Sequence, residues 1–429
     1  MPRRLAAPRE VVLGGALLGL IALVALHFVE RGSYWDYSEG VYALTAQLWL
    51  HGADLYGHVV AAQPPGVFVA GAGLLAVHDS LEWLRLGVGA LQLGAGLIAA
   101  SVVWRVTESR LATLLAPAAI LLTPWAVHEH GALLPEVVAL PFLIGGLRMS
   151  VEPRWALGLG LACGVLPLIK VPLVLPAAVL LVMAVERRRS LIAAVATLAA
   201  GVLASVLLGG GQSLWREVVY AQTQTGHRSL SAVAGFWAQG GWNLLGLVVA
   251  AGVAWALRSR SRDPRLLNIG VVLALAMLAT FATNLKEGTS LNIVVPVEGV
   301  LLPLALAGAA LAAQRGGRRL ANGPLLACLV GLAFTLVQTA SLLGSPTNPA
   351  VFLRPGSRPA WAVTETAPQL RASVGAARAC LPGLAFGGPP LVAMLAGRRM
   401  PDDQPDQFIT RAPVLHAVRA AMALVPSCL

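Results

Sequence analysis

Apolar runs close to the thickness of a bilayer core alternate along this chain with short polar breaks rich in arginine. A helix needs about 20 mostly apolar residues to cross the hydrocarbon layer. Eleven segments approach that pattern: 11–29, 86–104, 111–127, 135–146, 155–169, 171–185, 191–208, 242–257, 266–283, 292–313 and 324–343. The first follows Arg3, Arg4 and Arg9 and ends in His27-Phe28-Val29-Glu30. With no small-residue cleavage site there, it reads as a retained signal anchor.

A twelfth apolar stretch, 64–78, is short and opens with Pro-Pro-Gly. If it does not cross, the breaks holding Arg105 and Arg110, Arg148 and Arg154, Arg187 to 189, Arg258 to 265 and Arg315 to 319 all share the side of the N-terminal arginines. That is the bias cytoplasmic loops carry. The stretch is therefore placed as a juxtamembrane or re-entrant element, which protein must cover. The resulting map has the N-terminus inside, two long outer loops at 30–85 and 209–241, and short inner connections.

Composition agrees with a bilayer protein. Of 429 residues, 57% are hydrophobic and 12% charged, against about 25% charged in soluble chains. A net charge of +11 would suggest nucleic acid, but the arginines are accounted for as topology signals, so no nucleic-acid partner is expected. Four cysteines without a Cys-x-x-Cys pair exclude zinc-finger and iron–sulfur scaffolds.

The rarer polar residues collect on one side. Only two of the 31 basic residues are lysines, Lys170 and Lys286, and both fall at outer helix ends. One such lysine reads as an interfacial anchor; two on one face point toward an anion. The five tyrosines, Tyr34, Tyr37, Tyr42, Tyr56 and Tyr220, also map outside, with Asp36, Glu39, Asp54, Glu129, Glu136, Glu217, Glu287 and Glu298. Glu298 lies inside a span and Glu136 at the start of one, where a lone carboxylate costs several kcal/mol. Carboxylates can deprotonate a hydroxyl or hold a divalent cation, and ammonium groups can neutralise a departing phosphate. That combination suits transfer from a lipid-phosphate donor whose tail stays in the bilayer.

The first outer loop, YWDYSEGVYALTAQLWLHGADLYGHVVAAQPPGVFVAGAG, resembles the GT-C superfamily of integral-membrane glycosyltransferases, in the branch of the lipid A aminoarabinose transferase and the protein O-mannosyltransferases. The resemblance rests on Glu39-Gly40-Val41-Tyr42, the Ala-rich stretch after it, the Gly52 to Tyr56 spacing and Pro64-Pro65-Gly66. GLACGVLPLIKVPLVLP and TNLKEGTSLNIVVPVEG add two further similarities. The resemblance implies an all-α polytopic GT-C-like fold of about eleven spans with outer juxtamembrane elements. It implies donor-phosphate binding by Lys170 and Lys286, and substrate contacts from Tyr42, Tyr56, Glu136, Asn292 and Glu298. HEHGALLPEVV offers Glu129 and Glu136 for an acidic role, with His128 and His130 as further candidate contacts to metal or substrate. Where the family usually has aspartate before the glutamate, this chain has Ser38. Asp36 and Glu39 therefore both stand as candidates for the base. A divalent cation, Mg or Mn, would be held by Asp36 and Glu129.

These readings place a transmembrane catalytic domain at 1–343, a linker at 344–360 and a small extracytoplasmic α/β segment at 361–429. In that segment 368–379, 391–397 and 412–424 read as helical and 384–388 as a short strand. Cys380 and Cys428 are placed to close it as a disulfide, while Cys163 and Cys328 read as packed thiols within spans. Asp402, Asp403 and Asp406 read as a solvated acidic turn, with calcium binding as the alternative. The expected activity is inverting transfer of a sugar from a polyprenyl-phosphate donor to a glycan, lipid or protein acceptor on the outer side of a multi-pass plasma membrane protein. A lipid-linked-oligosaccharide or solute transporter, or a non-catalytic relative, is the alternative.

Overall fold

The computed structural model describes residues 7–30, 36–286, 291–314, 322–344 and 367–428. The chain begins with α1 (Arg9–Glu30), the short α2 (Tyr37–Leu50) and α3 (Gly66–Leu75), and the long α4 (Leu81–Thr107). Then come α5 (Arg110–Leu121), α6 (Pro124–His128), α7 (Pro135–Met149), α8 (Ala156–Ile169), α9 (Val174–Met183) and α10 (Arg187–Gly209). Two short turns, α11 (Gly211–Trp215) and α12 (Ala221–Thr223), lead to α13 (Leu230–Ala256), α14 (Pro264–Ala279), α15 (Val294–Ala313) and α16 (Asn322–Gly344). The C-terminal segment adds α17 (Ala367–Arg378), β1 (Ala385–Phe386), α18 (Pro390–Ala396), α19 (His416–Leu424) and β2 (Ser427–Cys428).

Each of the eleven apolar segments is helical, and among the described residues seven helices are long and apolar enough to cross a membrane. The other four segments fall on α5 with α6, α7, α8 and α9, of which α9 has only 10 residues. Segment 111–127 is two helices because Thr123 leaves helical geometry, and Pro124 opens the next turn. α3 is 10 residues, roughly 15 Å at the helical rise, which is too short to span. Protein covers it: a Cβ at Gly66 would come within 2.7 Å of the Leu168 carbonyl of α8. Polar caps mark several starts, with Ser80, Ser109, Ser229 and Asp263 each accepting a backbone N–H from the first turn.

The alanine and glycine bias is a packing device. A Cβ on Gly246 of α13 would sit 2.2 Å from the Gly331 carbonyl of α16, so these two backbones meet only because neither residue has a side chain. α15 is the most enclosed of the crossing helices, with Glu298 fully buried among its apolar residues. By contrast, α1, α10 and α16 expose Leu17, Ile21, Ile192, Leu203, Leu329 and Val337. A soluble protein does not leave apolar area of that extent uncovered; a bilayer covers it.

The C-terminal segment packs back onto the outer loop. Leu391, Val392 and Ala393 of α18 are fully buried, in the hydrophobic core that also holds Val41 and Leu44 of α2. Gln404 accepts the Val60 N–H at 2.9 Å and donates to the His58 carbonyl at 2.7 Å. β1 and β2 pair in parallel with Phe386 opposite Cys428, and Cys428 is disulfide-bonded to Cys380. The four helical and strand readings for this segment fall on α17, β1, α18 and α19. The linker expected at 344–360 lies, beyond Gly344, outside the described residues.

The disulfide spans 48 residues, a loop for which the chain-entropy estimate is about 4 kcal/mol. Replacing Cys380 and Cys428 together with serine is expected to expose residues 367–428 to limited proteolysis while the helical bundle stays protected, as read by mass spectrometry of the fragments.

Candidate active site

At one end of the bundle, Asp36 caps α2, accepting the Ser38 N–H at 2.7 Å. This turns α2 so that Ser38 and Tyr42 face a cavity while Glu39 points into the protein. Glu39 is buried and meets Arg85 of α4 in a two-toothed ion pair, Nε to Oε1 at 2.6 Å and Nη2 to Oε2 at 2.8 Å. Tyr42 is buried with its ring edge-on to Phe68 of α3.

The cavity, about 280 Å³, is lined by Ser38, Tyr42, Gln63, Pro64, Lys170, Gln222, Lys286 and Asn292, among others. Lys170 ends α8, and its ammonium group pairs with Glu136 in the first turn of α7. Pro172, two residues on, stops α8 from continuing and leaves Lys170 extended at the rim. Lys286 follows a 3₁₀ turn at Thr280–Leu285 and donates to the Gln222 amide oxygen. Asn292 is buried, and its amide oxygen has no hydrogen-bond partner. Lys170, Lys286, Tyr42 and Asn292 thus come together although 250 residues separate the first from the last.

A second cavity of about 590 Å³ lies across the wall formed by Pro64-Pro65 and Ile169-Lys170. It is almost wholly apolar, with Trp49, Val69, Phe142, Val165 and Leu168 among its lining. Tyr56 belongs here. It takes a left-handed backbone, with φ 67°, and its hydroxyl donates to the Gln63 carbonyl at 2.7 Å.

Electrostatics follow from burial. Asp36 is pushed up to about 7, first by burial and then by the negative charge of Glu129. Glu129 is held well above the usual carboxylate range by burial and by Glu136 and Glu39; one of its oxygens meets His128 Nδ1 at 2.9 Å. His130 is pushed down to about 4 by burial, assisted by His27 and Arg85, so it is neutral at ordinary pH. Lys286 is lowered to about 8 because burial disfavours its charge, and the neighbouring Lys170 adds to that while Asp406 opposes it. The phenol of Tyr42 is raised well above 10 by burial and then by Glu136, Asp406 and Asp36. Each of those three carboxylates therefore lies within electrostatic reach of one ring.

Two expected substrate contacts sit elsewhere. Glu298 accepts the Trp125 N–H at 3.0 Å, tying α15 to the start of α6, and does not line the polar cavity. Tyr56 lines the apolar one. Glu39 is engaged by Arg85 beneath the cavity floor. Gln63, Gln222 and Asp406 enter the site without having been singled out for it in the sequence. The acidic turn divides: Asp403 pairs with Arg399, whereas Asp406 caps the turn at Ile409 and faces Lys286. Asp36 and Glu129 stand close enough to influence each other. Among the described residues, however, no three His, Cys, Asp or Glu side chains form a metal-holding group. Asp36 and Glu129 are the pair that would hold a divalent cation, with water and a substrate phosphate completing its shell.

The helices and the two adjoining cavities are those of an all-α polytopic membrane protein. Among solved structures, the chain matches ArnT from Cupriavidus metallidurans bound to undecaprenyl phosphate, with TM-score 0.63 at 14% identity over 96% of this chain and 89% of that one. The apo state of the same protein matches with TM-score 0.59 at 15% identity, over 96% and 88% of the two chains. No protein-family profile and no curated protein sequence matches the chain.

Breaking a buried ion pair by removing one partner costs about 3–5 kcal/mol. Glu39→Gln is therefore expected to lower thermal stability strongly, and Glu39→Gln combined with Arg85→Met to recover much of the loss. A double-mutant cycle read by thermal unfolding checks this, and additive losses would refute the pairing.

Proposed function

We propose that this chain is a glycosyltransferase that moves a sugar from a polyprenyl-phosphate-linked donor to an acceptor hydroxyl on the extracytoplasmic side of the membrane. The observation that carries this is the junction of the two cavities: a polar one lined by the chain's only two lysines, with Lys170 paired to Glu136, and an apolar one across the Pro64-Pro65 wall. That junction suits an amphipathic donor, with its phosphate between Lys170 and Lys286 and its prenyl chain among Val69, Phe142 and Leu168. The solved ArnT structure with undecaprenyl phosphate supports the same class of ligand.

In this reading Asp36 is the base. It takes the proton of the acceptor hydroxyl as the acceptor oxygen bonds to the anomeric carbon. The bond from that carbon to the phosphate oxygen breaks on the opposite face, and the polyprenyl phosphate leaves with its charge met by the two ammonium groups. One base and one stabilised leaving group give inversion. Asn292 and Gln222 offer amides to the sugar hydroxyls, and Glu136 holds Lys170 in place. Glu39 serves as a positioning residue: with Arg85 it fixes the helix that presents Asp36.

Asp36→Asn is expected to lower sugar transfer from a radiolabelled polyprenyl-phosphate donor by about 10³-fold or more, given the 10²–10⁴ typical of acid–base catalysis. Folded Glu39→Gln is expected to lose less activity than Asp36→Asn, because it loosens the helix that presents the base without removing the base. Transfer by the Asp36 variant at parental rates would remove the mechanism. The pH profile has a definite sign. Asp36 works deprotonated, so activity rises through about 7; Lys286 works protonated, so activity falls above about 8. A maximum between those values is expected, and the falling limb is expected to weaken in Lys286→Arg. Impermeant labelling of cysteine introduced at the exposed positions His51 and Arg188 is expected to reach 51 from outside and 188 only after the membrane is opened.

A further inference from the structure

We propose that a second cavity, at the opposite end of the bundle, binds the headgroup phosphate of an anionic phospholipid. It is about 690 Å³, and Arg105, which lines it, lies on α4 twenty residues from Arg85, roughly 30 Å along the helix axis. It is separate from the candidate active site, and the inference does not depend on the proposed reaction.

The polar end of this cavity is built from Arg105, Arg148, Arg154 and Arg262, with Glu108 and Glu152. Glu152 is shared: Arg105, Arg148 and Arg154 all donate to it, and Arg105 also reaches Asp263. Three guanidinium groups with five N–H donors each thus lean on two carboxylates. The cluster carries a surplus of positive charge and of donors in fork geometry, which is what phosphate recognition needs. Arg154 is largely exposed, so the cluster sits at the rim where a headgroup arrives.

A second observation points the same way. Thr113, in the first turn of α5, lines the cavity and is 1% exposed, and its hydroxyl has no hydrogen-bond partner. Leaving such a group unsatisfied costs about 1–3 kcal/mol, and a ligand oxygen would satisfy it. The rest of the wall is apolar: Val11, Val12 and Gly15 of α1, Leu97 of α4 and Pro117 of α5. α1 and α4 are both crossing helices, so the cleft runs from the arginines into the hydrocarbon layer. A free phosphate would use only the arginine end, whereas a phospholipid fills both ends. Basic pockets between membrane helices bind anionic headgroups in this way.

The test uses the full-length protein, purified and delipidated in neutral detergent and titrated separately with dihexanoyl phosphatidylglycerol, dihexanoyl phosphatidylcholine and inorganic phosphate, with thermal shift and native mass spectrometry as readouts. The anionic lipid is expected to stabilise the protein and to bind about tenfold more tightly than the zwitterionic one, as loss of one charged hydrogen bond would give. Arg148→Gln and Thr113→Val are each expected to weaken it by a similar factor, while Arg188→Gln, exposed and outside the cavity, leaves it unchanged. Thr113→Val removes an unpaired buried hydroxyl and so preserves folding, which makes lost binding in that variant a property of the site. Equal response to both lipids, an equal shift from inorganic phosphate, or parental binding by both cavity variants would overturn the proposal.

Discussion

A carboxylate and a guanidinium group shut away from water govern the geometry of the end of the bundle that holds the polar cavity. Glu39 and Arg85 are both buried, and neither charge is tolerable there without the other. Their pairing pins α2 to α4 at one rotation. That rotation turns Ser38 and Tyr42 toward the cavity and puts Asp36 at the helix start, where burial and Glu129 raise its affinity for a proton. The Lys170–Glu136 pair does the same for the facing wall, joining the end of α8 to the start of α7. The site is a gap between two ion-paired helix ends, and its shape follows from those pairs.

The bundle below supplies rigidity by a different means. Lipid offers no hydrophobic drive to bring helices together, so contact depends on close fit. Gly246 against Gly331, and Gly308 against the Ala250 carbonyl, let backbones touch. Helices held that closely leave little space between them. The apolar cavity occurs where α3 is too short to continue and Gly201 of α10 and Ala70 of α3 leave room at the wall.

Much of this was legible in the sequence. Bilayer length located the helices, and 64–78 holds the 10-residue α3, too short to span. The two lysines stood out because nearly every other basic residue is arginine. The motif-bearing loop pointed to a fold, and a solved ArnT structure shares its fold with this chain over most of its length. What escaped depended on partners distant in the chain. Nothing local to Glu39 shows that Arg85 claims it. Glu298 stands out because a carboxylate inside a span needs a partner, and one partner, the Trp125 amide, lies 173 residues earlier in the chain. Gln63 and Gln222 are ordinary loop residues until folding brings them to the cavity. Asp406 read as part of a solvated turn because its neighbour Lys286 is 120 residues earlier.

The tail carries a consequence for biogenesis. Tyr37 reaches the Pro405 carbonyl across 368 residues, and Asp406 of the same turn faces Lys286. The electrostatic surroundings of Lys286 are therefore complete only once some of the last residues have been synthesised and have docked against α2. Oxidation of Cys380 and Cys428 then fastens them there. A nascent chain arrested after α16 would hold its helices and both lysines but lack one acidic neighbour of Lys286, so that ammonium would give up its proton at a lower pH than in the finished protein.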